Sequence, residues 1–139
     1  MSKQTVQYQL LPGPVGEMLR SSSLATTATI PLSGKLAITT GHVGVDLKTG
    51  KLVNSSVEAE FNAVLDCVDS ALRNAGATGG LGDAYKLVAY FTRADDEKVL
   101  LRLFKQRWPS ATPTLTSVVV AALVNDGMHL ELQAEAHVP

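Results

Sequence analysis

Between Val57 and Leu72, the apolar residues Val57, Phe61, Val64, Leu65, Val68 and Leu72 recur at spacings of three and four, which predicts a helix with one continuous apolar face. Ser55, followed three residues later by Glu58, has the capping-box spacing, and Gly76 stands where a helix-ending glycine belongs. Such a face needs a sheet to cover. Ala84 to Thr92 (AYKLVAYFT) reads as a central strand. Asp95 then offers an N-cap for a second helix, whose buried stripe is Val99, Leu100, Leu103, Phe104 and Trp108 and which Pro109 stops. Shorter strands are expected at Thr5 to Leu11, broken by Pro12-Gly13-Pro14, at Leu24 to Ile30, ended by Pro31 and the Ser33-Gly34 turn, and at Lys35 to Thr40. Leu115 to Leu123 and Met128 to Ala136 flank Asn125-Asp126-Gly127, a turn signal that predicts an antiparallel hairpin. The resulting order, three strands, helix, strand, helix and two strands, is an α+β fold with two helices packed on one face of a mixed sheet. Val118, Val119 and Val120 are apolar on both faces of their strand, so the other sheet face is expected to meet apolar surface too, supplied most simply by another subunit.

Composition narrows the function classes. A chain of 139 residues reads as one domain, 1–139, and 45% hydrophobic with 18% charged residues is ordinary for a globular protein. A net charge of −1 with three Phe, three Tyr and one Trp provides neither a basic footprint nor a stacking surface, which disfavours nucleic acid as a partner. Cys67 is the only cysteine, which excludes an intrachain disulfide framework and fits a reducing cytosol. No segment approaches the roughly 18 apolar residues of a membrane span, nor is there a secretory apolar run, so no membrane partner and a cytoplasmic location are expected.

Four motifs carry a resemblance. In Ser110 to Pro139, Pro113, Val118, Val120, Leu123 and Glu131 match a P-A-R-x-x-V-x-V-x-x-L strand followed by V-E-I-E-A. GKLAITTGHVGVDLKTGKL aligns Gly34, Gly41, Thr49 and Gly50 with G-x-x-[IV]-x-x-S-G-Q-x-x-x-x-x-T-G. Glu60 and Asn62 through Gly76 look like a helix ending in A-A-G, and Gly127, Met128, Leu130, Glu131 and Leu132 match a glycine turn before a strand. The chain resembles the YjgF/RidA family of reactive-intermediate deaminases, also known as L-PSP endoribonucleases. The resemblance implies a chorismate-mutase-like fold, a homotrimer with its sheets facing the centre, and small-molecule clefts between subunits. It also exposes departures. Leu115 stands where the family's substrate-carboxylate arginine belongs, and leucine can donate none of the paired hydrogen bonds of a guanidinium. The family's cleft tyrosine, serine and glutamine fall near Leu24, Ala25 and Thr26, and its Gly-Gln has become Gly41-His42.

Strand alternation groups His129 with Glu131 and Gln133, Thr40 with His42, and Leu115 with Ser117 and Val119. With the resemblance, Glu131 and the 115/117 face are expected to look into the cleft, with His42 at its rim. Glu131 is then the general acid/base or water-orienting group, and His42 and His129 are further catalytic candidates, since a carboxylate and an imidazole can share proton transfer near neutrality. Leu24, Thr26, Thr40, Gly41, Leu115, Ser117 and Val119 are expected to bind the substrate. Without the resemblance, Glu131 would read as a solvated strand residue and each histidine as a surface or hydrogen-bonded one. His42, His129 and His137 lack any ligand spacing, so neither a metal nor a cofactor is expected. Cys67 reads as a packing residue and Gly79-Gly80-Leu81-Gly82 as a flexible connection, because it runs from helix to strand, the reverse of a phosphate loop. The expected function is a trimeric small-molecule enzyme acting on a reactive imine, enamine or related biosynthetic intermediate, repurposed for a specialised pathway. The alternatives are a non-catalytic ligand-binding or chaperone-like trimer and, third, a ribonuclease or translation inhibitor.

Overall fold

The computed structural model describes residues 5–139. Its elements are β1 (Gln7–Gln9), α1 (Pro14–Ser21), β2 (Thr27–Thr29), β3 (Lys35–Ile38), α2 (Val57–Asn74), β4 (Ala84–Phe91), α3 (Glu97–Arg107), β5 (Thr114–Val119) and β6 (Leu130–Val138). The fold is a mixed α+β layer. A four-stranded sheet of order β3-β6-β4-β5 carries α2 and α3, and β1 and β2 form a separate two-stranded ribbon.

The periodic face of α2 is buried as its spacing requires: Phe61, Val64, Leu65, Val68 and Leu72 are fully covered. Its N-cap is Ser56 and not Ser55. The Ser56 hydroxyl accepts from Ala59 N at 3.0 Å, which leaves Glu58 one position short of the reciprocal place in a capping box. At the other end Gly76, with φ +105°, closes a Schellman motif in which Ala77 N donates to Leu72 O. In α3, Leu100, Leu103 and Phe104 are buried. Asp95 does not cap this helix. A 3-10 turn at Ala94–Asp96 precedes it, and the buried Asp96 carboxylate is held by the Arg93 guanidinium at 3.2 and 3.3 Å.

Pro12-Gly13-Pro14 ends the first strand as expected, but it also begins an unforeseen helix: Pro14 opens α1 at the first helical position, where its missing N–H costs nothing. Two further expectations fail for physical reasons. The last two strands are not a hairpin. β4, α3 and β5 form a crossover unit, which makes β5 parallel to β4, and β6 enters between β3 and β4, antiparallel to both. The Asn125-Asp126-Gly127 turn exists, with Gly127 at φ +77°, but it lies within a connection that crosses the end of β4, where Val120 N donates to Phe91 O and Thr92 N to His129 O. Nor is Gly79 to Gly82 flexible. It forms a 3-10 turn over Gly80–Asp83, with Leu81 fully buried and its amide bonded to Asp69 at 2.8 Å, while Gly79 N is bonded to Asp83 at 2.8 Å.

Pairing registers sort the sheet into two faces, because paired residues project to the same side. Leu87, Ala89 and Phe91 of β4 lie beside Ala134, Leu132 and Leu130 of β6, all buried under the helices. Lys86, Val88 and Tyr90 lie beside Glu135, Gln133 and Glu131 on the opposite, open face. Ile38 and Leu36 of β3 and Val118 of β5 share that open face, with Leu36 55% and Ile38 61% exposed.

Candidate functional site

A backbone irregularity builds the cleft around Glu131. Past β3, Thr39 N still bonds Ala134 O, and the Thr39 hydroxyl accepts from Ala134 N at 3.1 Å. The next paired residue is His42, which exchanges two backbone bonds with Leu132 at 2.9 and 3.0 Å. Three steps on one strand therefore oppose two on the other, a β-bulge that turns Thr40 and Gly41 outward. They line a cleft of about 330 Å³ together with Tyr90, Leu123, Glu131 and Gln133. Gln133 is fixed by donating Nε2–H to Thr39 O at 3.1 Å. A Cβ at Gly41 would stand 2.5 Å from Glu131 Oε2, so any larger residue there would have to displace the Glu131 side chain. The sheet thus holds a half-buried carboxylate against a bare backbone, with a phenol and a carboxamide nearby.

The bulge alters the expected role of His42. Its bridge partner Leu132 faces the helices, so Thr40 and His42 do not share a face, and His42 does not stand with Glu131 in the cleft. Burial lowers the imidazole pKa and the Glu131 charge opposes that shift only in part, which favours the neutral ring. His129 is also drawn away. Its Nδ1 lies 2.7 Å from Glu60 Oε1, and Glu60 Oε2 accepts from His129 N at 2.6 Å and Leu130 N at 3.2 Å. Glu60 is fully buried and stitches the first turn of α2 to the start of β6. Sequence reasoning passed it over, although a charged residue on the apolar stripe beside Phe61 was the available signal. Tyr90, alternating with the buried Ala89 and Phe91, was equally readable and was also missed.

The remaining candidates lie elsewhere in the chain. Leu115, Ser117 and Val119 pair with Leu87, Ala89 and Phe91, on the opposite sheet face from Glu131. Leu115 packs against the core, whereas Ser117 and Val119 are exposed. Within one chain they cannot share a cleft with Glu131. Leu24 lines a second cavity of about 260 Å³ with Tyr8, Arg20, Ala25 and Thr112. Thr26 is committed to the backbone, its hydroxyl accepting from Leu11 N at 3.0 Å. Cys67 is buried, donates to Val45 O at 3.2 Å, and has its thiol pKa pushed up by burial, the properties of a packing cysteine. Among the described residues no cluster of three or more His, Cys, Asp or Glu side chains could hold a metal ion, and no helix is long and apolar enough to cross a membrane.

The fold and the Glu131 strand define a class that comparison with known proteins confirms. Residues 24–138 match the Endoribonuclease L-PSP family, and the chain belongs to this family, the YjgF/RidA family of the sequence resemblance. A RutC family protein of Pyrococcus horikoshii is 24% identical over 135 residues, covering 97% of this chain and 98% of that protein. Among solved structures, a conserved Rid-family protein of unknown function from Yersinia pestis, YyfB, superposes with a TM-score of 0.81 at 17% identity, over 97% of this chain and 100% of its own. Escherichia coli TdcF, solved with bound serine, superposes with a TM-score of 0.68 at 22% identity, over 99% and 100% of the two chains.

Proposed function

We propose that the chain is a small-molecule enzyme of the RidA type, in which Glu131 acts on a reactive imine or enamine in a cleft completed by a neighbouring subunit. The observation that carries this reading is the Glu131 carboxylate, held over Gly41 beside Tyr90 and Gln133 on an open sheet face. In that position a carboxylate can take a proton from water as the oxygen adds to the imine carbon. It then returns that proton to nitrogen to give the carbinolamine, and carries the hydroxyl proton to nitrogen as the C–N bond breaks, which releases a carbonyl and ammonia. The serine bound to TdcF supports a small amino-acid-like molecule as the substrate class. A second subunit is called for by the opposite facing of Glu131 and the exposed Ser117 and Val119, and by the exposed Leu36, Ile38 and Val118 on the open face, which a homotrimer would cover. A cytoplasmic site of action fits the single cysteine.

Leu115 in place of arginine favours a second reading, a binding trimer that retains the cleft without the chemistry. Freshly generated 2-aminoacrylate separates the two. The enzyme reading requires the protein to release pyruvate faster than spontaneous hydrolysis, and no acceleration would eliminate retained deaminase chemistry in favour of binding alone. Light scattering in the same buffer should give a trimer, and a mass near 14.7 kDa would remove the composite cleft.

A further inference from the structure

The cavity around Arg20 is separate from the Glu131 cleft and has a construction of its own. Its volume of about 260 Å³ lies just below the roughly 300–1,000 Å³ of drug-sized sites, which suits a metabolite-sized occupant. Leu10, Leu24 and Ala25 provide an apolar wall, and Arg20, Tyr8 and Thr112 the polar positions. Its sides are tied by backbone bonds: Ala25 N donates to Pro113 O at 3.1 Å, and Leu24 N to Leu19 O at 2.9 Å. The second bond belongs to the Schellman end of α1, where Ser23 takes φ +58°, a conformation usually left to glycine. This turn fixes Leu24 relative to Arg20.

Among the described residues, Arg20 is the only charged side chain in the wall. Its ion pair with Glu17 runs through Nε alone at 3.4 Å, with the two side chains 65% and 69% exposed, a screened contact of little strength. Among the described residues its terminal nitrogens make no ion pair, so they can meet a carboxylate through two parallel hydrogen bonds. Tyr8 adds no competing charge, because burial and the nearby Asp83 raise its phenol pKa. We propose that this cavity binds a small carboxylate with an apolar body, the Arg20 guanidinium taking the carboxylate and Leu10, Leu24 and Ala25 the hydrocarbon. Binding needs only one chain and does not rest on the chemistry assigned to Glu131.

The test is an amide NMR titration with hexanoate and its uncharged isostere hexanamide. Hexanoate should give saturable shifts at Ser23, Leu24 and Ala25 and bind at least about tenfold more tightly than hexanamide, as expected for hydrogen bonds to a charged group. Arg20→Gln should abolish that preference and Arg20→Lys retain part of it, while Arg102→Gln, at an exposed arginine on α3, should change nothing. Glu131→Ala should bind hexanoate like the wild type, so failure of the catalytic reading leaves this one standing. No saturation, equal affinity for the two probes, an unaltered Arg20→Gln, or shifts centred on Thr40 and Gly41 would each overturn it.

Discussion

Replacing Glu60 tests how the site-bearing strand is anchored. In Glu60→Leu, the His129 and Leu130 amides lose their shared acceptor at Oε2 and the His129 ring loses its partner at Oε1. The Leu130 amide lies in the core, and a buried donor left without a partner costs about 1–3 kcal/mol. The His129 groups are partly reachable by water and add less, so the total loss should be about 3 kcal/mol. Glu60→Gln is the informative companion. Its carbonyl oxygen can occupy the Oε2 position and accept both amides, while its NH₂ takes the place of Oε1 opposite the His129 ring, so it should cost less than about 1 kcal/mol. In urea melts at fixed protein concentration, with a slope of about 2 kcal/mol/M, the leucine variant should lower the midpoint by about 1.5 M and the glutamine variant by under about 0.5 M. A leucine variant as stable as the wild type would refute the claim that Glu60 pins the start of β6. Equal losses in both variants would show that its charge matters and that its acceptor geometry does not.

Other outcomes follow from single residues. Gly41→Ala should fold normally yet displace the Glu131 carboxylate, lowering turnover of 2-aminoacrylate with little change in the melting curve; retained turnover would contradict the close approach. Ser23→Gly should stabilise the protein by about 0.5–1 kcal/mol by relieving the left-handed conformation, checked by the same urea melts. His42 has a folded pKa below its unfolded value of about 6.5, so between those two values the unfolded chain binds the extra proton. Its contribution to stability is therefore intact above that unfolded value and lost as pH falls through the window. His42→Gln should flatten melting temperature against pH there, and an unchanged slope would remove His42 as the cause.

What could be read from the chain depended on how local the determinant was. The α2 stripe needs only its own spacing, so Phe61 to Leu72 was legible to the residue. The outward facing of Glu131 was legible through its place between the buried Leu130 and Leu132. The partner of β6 was not: the turn at Asn125 to Gly127 says that the chain reverses, while β4 decides where it lands. The facing of His42 failed for a related reason. Alternation groups residues correctly only along an unbroken strand, and one extra residue at Thr40-Gly41 flips everything after it.

The most direct test of the central claim is the turnover of Glu131→Ala. Glu131 alternates outward from the core between Leu130 and Leu132, so its truncation should leave fold and assembly intact while the rate of pyruvate release from 2-aminoacrylate falls by roughly 10²–10⁴-fold, the range for loss of a general acid or base. An undiminished rate in a folded protein of unchanged mass would contradict the assignment of Glu131 as the catalytic group.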